Sequence, residues 1–412
     1  MKKMRVLFYS LTGMILMLTG CKPEISQNHK PNLIVTYKID GLKVTLKGNA
    51  LDNDGTITDL FIDWGSSEIS KLPNNNYADF EISHLYLLPI SCNIKIIAID
   101  NTGDTTFQII PLVIDYKVTS LSSIKQSMFK TSDNEYLILT VNLHTYQELQ
   151  QNEKFNLLAD VIGLMDIDFV AFQECAQNKS TAITTGNIRQ DNMALIVSNI
   201  LKEKYKTEYN YVWNWAHYGW DVWEEGVAIL SKYPVLNSED RYISTGTSTS
   251  NITSRKAIYG SFQTSKGLIN IISAHTHWRT SITDEEQNNQ IKNIKAMATE
   301  KELLSPVITT FVCGDFNGNP TSDYPWSEGY NTMMRNNDYS DTFLEINQDA
   351  NNKPAQSAYY SILGDLPGRI DYIFMKKNEA IKVVDSQIIF KSEVIGKISD
   401  HYGILTKVIF TK

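Results

Sequence analysis

The spacing of apolar positions divides the chain near residue 125. Between residues 32 and 115, short apolar runs alternate with polar positions in the β manner: Leu33-Ile34-Val35-Thr36-Tyr37, Lys43-Val44-Thr45-Leu46, then residues 92–99 and 106–114. Turn-forming clusters separate the runs, which predicts a small antiparallel β-sandwich. After a Ser-rich link at 119–123, strand-like and helix-like runs take turns. Residues 136–143 form an apolar strand carrying Asn142 near its end. Phe155, Leu158, Ile162 and Met165 then recur at helical spacing. Residues 168–173 form the next strand and deliver Glu174, and Met193, Ile196, Val197, Ile200 and Leu201 mark a second amphipathic helix. Further strands are expected at 226–231, 255–262, 268–274, 306–313, 369–375, 383–390 and 402–409. Thr283 and Glu286 read as a capping box for a helix through Ile291, Ile294 and Met297.

Length and charge narrow the choices. At 412 residues the chain is long for one domain. A net charge of -8 argues against a protein that grips DNA through a broad basic surface, but leaves room for a nuclease that meets its substrate through a metal. Residues 1–21 read as a targeting segment, with Lys2, Lys3 and Arg5 ahead of an apolar run at 6–18. Leu18-Thr19-Gly20-Cys21 resembles a bacterial lipobox, which implies lipidation at Cys21. The run is short for a membrane span, and acyl chains on Cys21 would instead tie the protein to a membrane surface of the bacterial envelope, facing periplasm or exterior. The expected organisation is a lipoprotein signal peptide at 1–21, a polar tether at 22–31, the β-sandwich at 32–115, a linker at 116–124 and a second domain at 125–412. Cys92, Cys175 and Cys313 remain, an odd number that makes no disulfide framework; Cys175 and Cys313 read as small buried side chains.

In the first domain, residues 49–65 run Asn-Ala-Leu-Asp-Asn-Asp-Gly-Thr-Ile-Thr-Asp-Leu-Phe-Ile-Asp-Trp-Gly, and Ala98-Ile99-Asp100-Asn101-Thr102-Gly103 follows later. Both stretches, in this order, resemble the signature of the PKD family of immunoglobulin-like domains. An EF-hand would need glycine at the sixth loop position, where Ile57 stands, so Asp52-Asn53-Asp54-Gly55 reads as a structural turn, with Trp64 in the core. The resemblance implies a spacer or weak binding module.

The second domain carries the chemistry. Gly314-Asp315-Phe316-Asn317 follows an apolar strand, and alternation sends Asp315 and Asn317 to one side before Gly318 and Pro320 break the strand. With it, in order, stand Asn142, Gln173-Glu174, Gly226-Val227-Ala228-Ile229-Leu230-Ser231, Ser273-Ala274-His275, Arg369-Ile370-Asp371-Tyr372 and Ser399-Asp400-His401. Together these pieces resemble the endonuclease/exonuclease/phosphatase superfamily, whose members include secreted DNases, base-excision endonucleases, inositol-phosphate phosphatases and bacterial sphingomyelinases. The resemblance covers the whole second domain. It implies an α+β fold, a four-layer α/β/β/α sandwich of the DNase I type, with the site at one end. A glycine-rich phosphate loop and a Ser-centred nucleophile elbow are absent from the sequence.

Phosphodiester cleavage needs a cation on the phosphate oxygens, an activated water and help for the departing oxygen. The available side chains are hard oxygen donors, which suit Mg²⁺, with Mn²⁺ as a substitute. The resemblance implies Glu174 as chief ligand, with Asn142 and Asp400 close by. It implies His401 as general base, oriented by Asp371, with Asp315 positioning the water; whether His401 or Asp315 takes the proton stays open. Asn317 would donate to a phosphate oxygen. His275 would stabilise the transition state or protonate the leaving group, with His277 at the rim. Glu224, chosen over Glu225 by its spacing from Gly226, would orient and charge His275. His29, His84, His144 and His217 are read as structural.

Residues 209–223 hold Tyr209, Tyr211, Trp213, Trp215, Tyr218, Trp220 and Trp223. Tyr211, Trp213 and Trp215 share one face and suit a core. Trp220 and Trp223 suit a loop that stacks a base or a sugar, or sits at a lipid interface. The expected partner is a phosphoester: nucleic acid, a phospholipid headgroup or a small phosphodiester. A monomer is expected. The rival reading is a non-catalytic envelope protein whose two domains hold a ligand.

Overall fold

Alternating apolar positions in the first unit pair into two sheets. The computed structural model describes residues 28–40, 42–73, 76–86, 90–114, 121–320, 325–348, 368–391 and 394–411. Cys21, the targeting segment, and parts of the expected tether and linker lie outside them. One sheet orders Asn32–Asp40, Lys43–Leu51 and Phe80–Leu85; the other orders Ile69–Lys71, Ile57–Asp63, Ser91–Asp100 and Thr105–Val113. Their facing sides bury Val44, Leu46, Leu60, Ile62, Ile94, Ile96 and Trp64. The Trp64 indole N–H donates to Ser70 Oγ at 2.9 Å, so its one polar atom is satisfied. The Asp100 carboxylate closes its turn by accepting the Thr102 and Asp104 N–H groups at 2.8 and 2.9 Å.

The second unit is built on two six-stranded sheets. The first orders Asn210–Gly219, Trp223–Ser231, Phe169–Asn178, Glu135–Asn142, Gly403–Phe410 and Ile381–Ile389. The second orders Val235–Tyr242, Lys256–Thr264, Gly267–His275, Thr309–Asp315, Asp371–Lys376 and Tyr339–Asp341. Each has one parallel pair at its centre: Glu135–Asn142 with Phe169–Asn178, and Gly267–His275 with Thr309–Asp315. Parallel neighbours need a crossover, and the helices Gln151–Leu164 and Glu286–Leu304 supply one each. Ile138, Phe169 and Ile229 of one sheet meet Ile271, Phe311 and Ile373 of the other. The outer faces bury Leu139 and Phe172 against Leu158, Ile162 and Val197, and Ile272 and Val312 against Ile291, Ile294 and Met297. The layers therefore run α/β/β/α. Central strands covered on both faces are apolar along most of their length, which is why they read as near-continuous runs.

The edge strand Val235–Tyr242 and one helix start are among the differences from the sequence reading. The edge strand Val235–Tyr242 was not expected, because Asn237, Glu239, Asp240 and Arg241 give it a polar pattern; charge on an edge strand guards it from pairing further. The Thr283–Glu286 capping box does not form. Asp284 accepts the Glu286 N–H at 3.0 Å, while the Glu286 carboxylate reaches across to the Thr245 N–H and hydroxyl at 2.8 and 2.7 Å. Among the described residues no helix is long and apolar enough to cross a membrane.

Candidate active site

Register brings the polar strand ends together. Asn142 lies level with Gln173, His275 with Asp315, and Asp315 with Asp371. Glu174 owes its aim to a bulge. Gly226 pairs with Cys175 and Ala228 with Phe172, so Gln173 and Glu174 together oppose Val227, and Glu174 takes a left-handed φ of 45°. Gln173 turns inward and donates to Ser273 Oγ on the other sheet at 3.0 Å, a clamp just beneath the site.

Asn142 ties the two sheets at the site itself. Its Nδ2 donates to Glu174 Oε1 at 2.9 Å and to Asp315 Oδ2 at 3.2 Å, while its Oδ1 accepts the His144 N–H at 2.9 Å. Asn142 thus turns its amide hydrogens to both carboxylates. Asp315 Oδ1 accepts the Asn317 N–H at 2.9 Å, and its Oδ2 lies 3.6 Å from His275 Nε2 and 3.7 Å from His401 Nε2. His401 Nδ1 is 2.9 Å from Asp371 Oδ2. Burial pushes the Asp315 carboxyl up to about 7, against the pull of His401. Burial opposes charge on His401 too, but Asp371 and Asp315 outweigh it and raise the imidazole well above its usual value.

His275 behaves differently from expectation. Burial, with Arg255 and His217 nearby, holds it well below the usual imidazole range, so it is neutral. The Asn317 amide donates to Thr276 O at 2.9 Å and to His275 Nε2 at 3.3 Å, which leaves the ring hydrogen on Nδ1. The Asn317 amide thus bridges His275 and the Thr276 carbonyl.

Glu224 does not orient His275. Val227 and Ile229 face the core between the sheets, so parity sends Glu225 inward and Glu224 outward. Glu224 makes a two-point ion pair with Arg189, at 2.8 and 2.9 Å, and accepts from Gln177. Glu225 Oε1 lies 3.2 Å from His217 Nε2 and 3.3 Å from an Arg255 nitrogen, and its Oε2 accepts the Thr145 hydroxyl at 2.9 Å. Burial works against its charge, yet His217 and Arg255 hold its carboxyl below the ordinary value. His217 reads as structural in the sequence, and neither Arg255 nor Thr145 stands out there; the parity of Glu225 with Val227 is the signal that points to the carboxylate.

Asp400 stands at the mouth. Its Oδ1 lies 3.5 Å from His144 Nδ1, and His144 also meets Glu148 Oε1 at 2.7 Å. His144, read as structural, is therefore part of the rim; burial lowers its pKa, but Glu148 and Asp400 leave it raised overall. His277 is buried beside Trp278, with ring centroids 4.3 Å apart. Trp213 is buried and donates to Cys175 O, and Trp223 stacks on Tyr146. Among the described residues Trp220, Trp278 and Trp326 are exposed tryptophans. Trp220 lies in the turn after Gly219, and Trp278 shortly follows His275. Trp326 precedes the helix Glu328–Met334, whose Gly329 abuts Gln287, the side chain that donates to Phe316 O and Asn317 O. All three therefore sit at the site end of the sandwich.

The donor set fits a divalent cation. Ligand atoms of Glu174, His275 and Asp315 lie within 4.8 Å of one another. Burial and the nearby Glu225 push the Glu174 carboxyl up, against the pull of Asn142 and His401. Two carboxylates with a single imidazole nitrogen and no thiolate suit Mn²⁺ or Mg²⁺.

The family model described as "Endonuclease/Exonuclease/phosphatase family" matches residues 139–401. The chain belongs to this family. Its members hydrolyse phosphoester bonds and typically use a divalent metal. Among solved structures, an endonuclease/exonuclease/phosphatase family protein from Leptotrichia buccalis is similar at 25% identity and a TM-score of 0.58, over 67% of this chain and 100% of that one. The human nocturnin catalytic domain with bound sulfate shares the fold at 18% identity and a TM-score of 0.50, over 68% of this chain and 95% of that one. A family protein from Beutenbergia cavernae does so at 14% identity and 0.50, over 67% and 72%. No curated protein matches the sequence.

Proposed function

We propose that the chain is a Mg²⁺- or Mn²⁺-dependent phosphodiesterase that works at a membrane surface of the bacterial envelope, with the N-terminal sandwich as a spacer. The observation that carries this reading is the continuous line Asp371–His401–Asp315–Asn142–Glu174 across the end of the sandwich. Glu174, with Asp400 at the mouth, is the set that would hold the cation, which when bound draws charge from the phosphate oxygens. Asp371 holds His401 so that its Nε2 faces Asp315. A water beside Asp315 Oδ2 gives its proton to that carboxylate, whose raised pKa suits a base near neutral pH. His401, kept cationic by Asp371, faces the charge that builds on the phosphoryl group. A substrate oxygen that displaces the 3.3 Å contact to His275 would meet the Asn317 amide.

The exposed tryptophans at the site end, together with the net charge of -8, favour a headgroup-like diester over a polyanion. The test uses the full chain on DNA, RNA, sphingomyelin and phosphoinositide vesicles and bis-nitrophenyl phosphate, with and without EDTA. EDTA-sensitive cleavage is expected, faster on vesicle-borne diesters than on oligonucleotides. No EDTA-sensitive turnover on any of them would overturn the reading. Ligand binding untouched by Glu174→Ala, without turnover, would favour the non-catalytic rival instead.

A further inference from the structure

Between Asn142 and the helix Gln151–Leu164 the backbone is strained. His144, Thr145, Tyr146 and Gln150 take left-handed φ values of 55°, 40°, 59° and 55°. For a β-branched residue such as Thr145 this is a costly conformation, kept only where the surroundings over-determine it.

Those surroundings are specific. The Thr145 side chain is fully buried, and its one hydroxyl proton is within donating distance of both Glu225 Oε2, at 2.9 Å, and Glu174 Oε2, at 3.2 Å. Glu225 is itself anchored by His217 and Arg255, and His217 Nδ1 reaches Ser254 O at 2.9 Å. Tyr146 stacks on Trp223 at 4.6 Å and 14°, and its hydroxyl donates to Asp191 O. The opposing strand end is bare where the threonine enters: a Cβ on Gly219 would stand 2.8 Å from Glu225 Oε2 and 3.3 Å from Thr145 Cγ2. A strained loop, a bare glycine and an anchored buried carboxylate all converge on one hydroxyl.

We propose that Thr145 is a positioning residue for the cation: its hydroxyl braces the Glu174 carboxylate against the buried Glu225–His217–Arg255 group, and the loop bears the strain of putting it there. This rests on the cation reading given above. The hydroxyl acts through Glu174, and no contact between Thr145 and substrate is required.

The experiment measures Mn²⁺ affinity of the full chain, by the Mn²⁺-induced rise in Tm and by the loss of the free-Mn²⁺ resonance signal. Thr145→Val keeps the shape and removes the hydroxyl; it should weaken Mn²⁺ binding about ten- to a hundredfold. Thr145→Ser restores the hydroxyl and should bind nearly as the parent does. Thr145→Gly relieves the strain without the hydroxyl and should bind as weakly as the valine variant. Valine binding as tightly as the parent would overturn the proposal, and so would serine binding as weakly as valine. If the valine variant fails to fold, glycine binding as tightly as serine would overturn it. A parent chain that binds no Mn²⁺ would bring down the cation reading itself, an outcome distinct from the others.

Discussion

Asp315 concentrates the electrostatics of the site in one side chain. Its carboxylate faces Asn142 and two imidazoles with almost no solvent, so in the cation-free protein its pKa sits near 7. The unfolded chain ionises at about 3.9, so as pH rises from there toward 7 the folded state keeps a proton that the unfolded state gives up. Stability therefore falls through that window and stays lower above it. Asp315→Asn should raise Tm in EDTA by more at pH 8 than at pH 4; equal gains at both would contradict the assigned environment. His401→Ala should lower kcat by about two to four orders of magnitude, the range for losing an acid–base or charge-stabilising group, and near-normal turnover would remove it from the mechanism. Glu224 belongs to a different ledger. Glu224→Gln breaks its pair with Arg189 and should cost about 1–3 kcal/mol in urea unfolding while kcat holds. A large kcat loss at unchanged stability would return Glu224 to the site.

Elements explain why some of this was legible and some was not. The central strands announce themselves because both faces are buried, and Asn142, Glu174, His275 and Asp315 stand out as polar groups ending or following apolar runs. Alternation could not choose between Glu224 and Glu225 until the facing of Val227 was known. Thr145 was illegible because its role depends on a left-handed turn, which no periodicity encodes. Helix capping misled for a related reason: Glu286 had a better partner in Thr245, distant in sequence. One strand junction is testable alone. Gly314 has φ 146°, and a Cβ there would stand 1.9 Å from Ala274 O on the paired strand. Gly314→Ala should destabilise by about 2 kcal/mol or more, seen as a lower urea midpoint, and reduce activity by pushing His275 and Asp315 apart. A midpoint equal to that of the parent would mean the junction yields freely.

At the scale of the whole molecule, the placement of the site bears on the role of each unit. The described site residues run from Asn142 to His401, all within the second unit. A chain beginning at Ser120 should keep its turnover on bis-nitrophenyl phosphate; a folded but inactive product would show that the N-terminal sandwich shapes the site. The order of strands carries a further consequence. Gly403–Phe410 inserts between Glu135–Asn142 and Ile381–Ile389, so the strand that delivers Asn142 waits for a partner made more than two hundred residues later. That strand follows directly on His401, so the edge of Glu135–Asn142 and the imidazole beside Asp315 are completed together. A chain truncated before Ser399 should therefore show no turnover on bis-nitrophenyl phosphate, even where its second sheet forms.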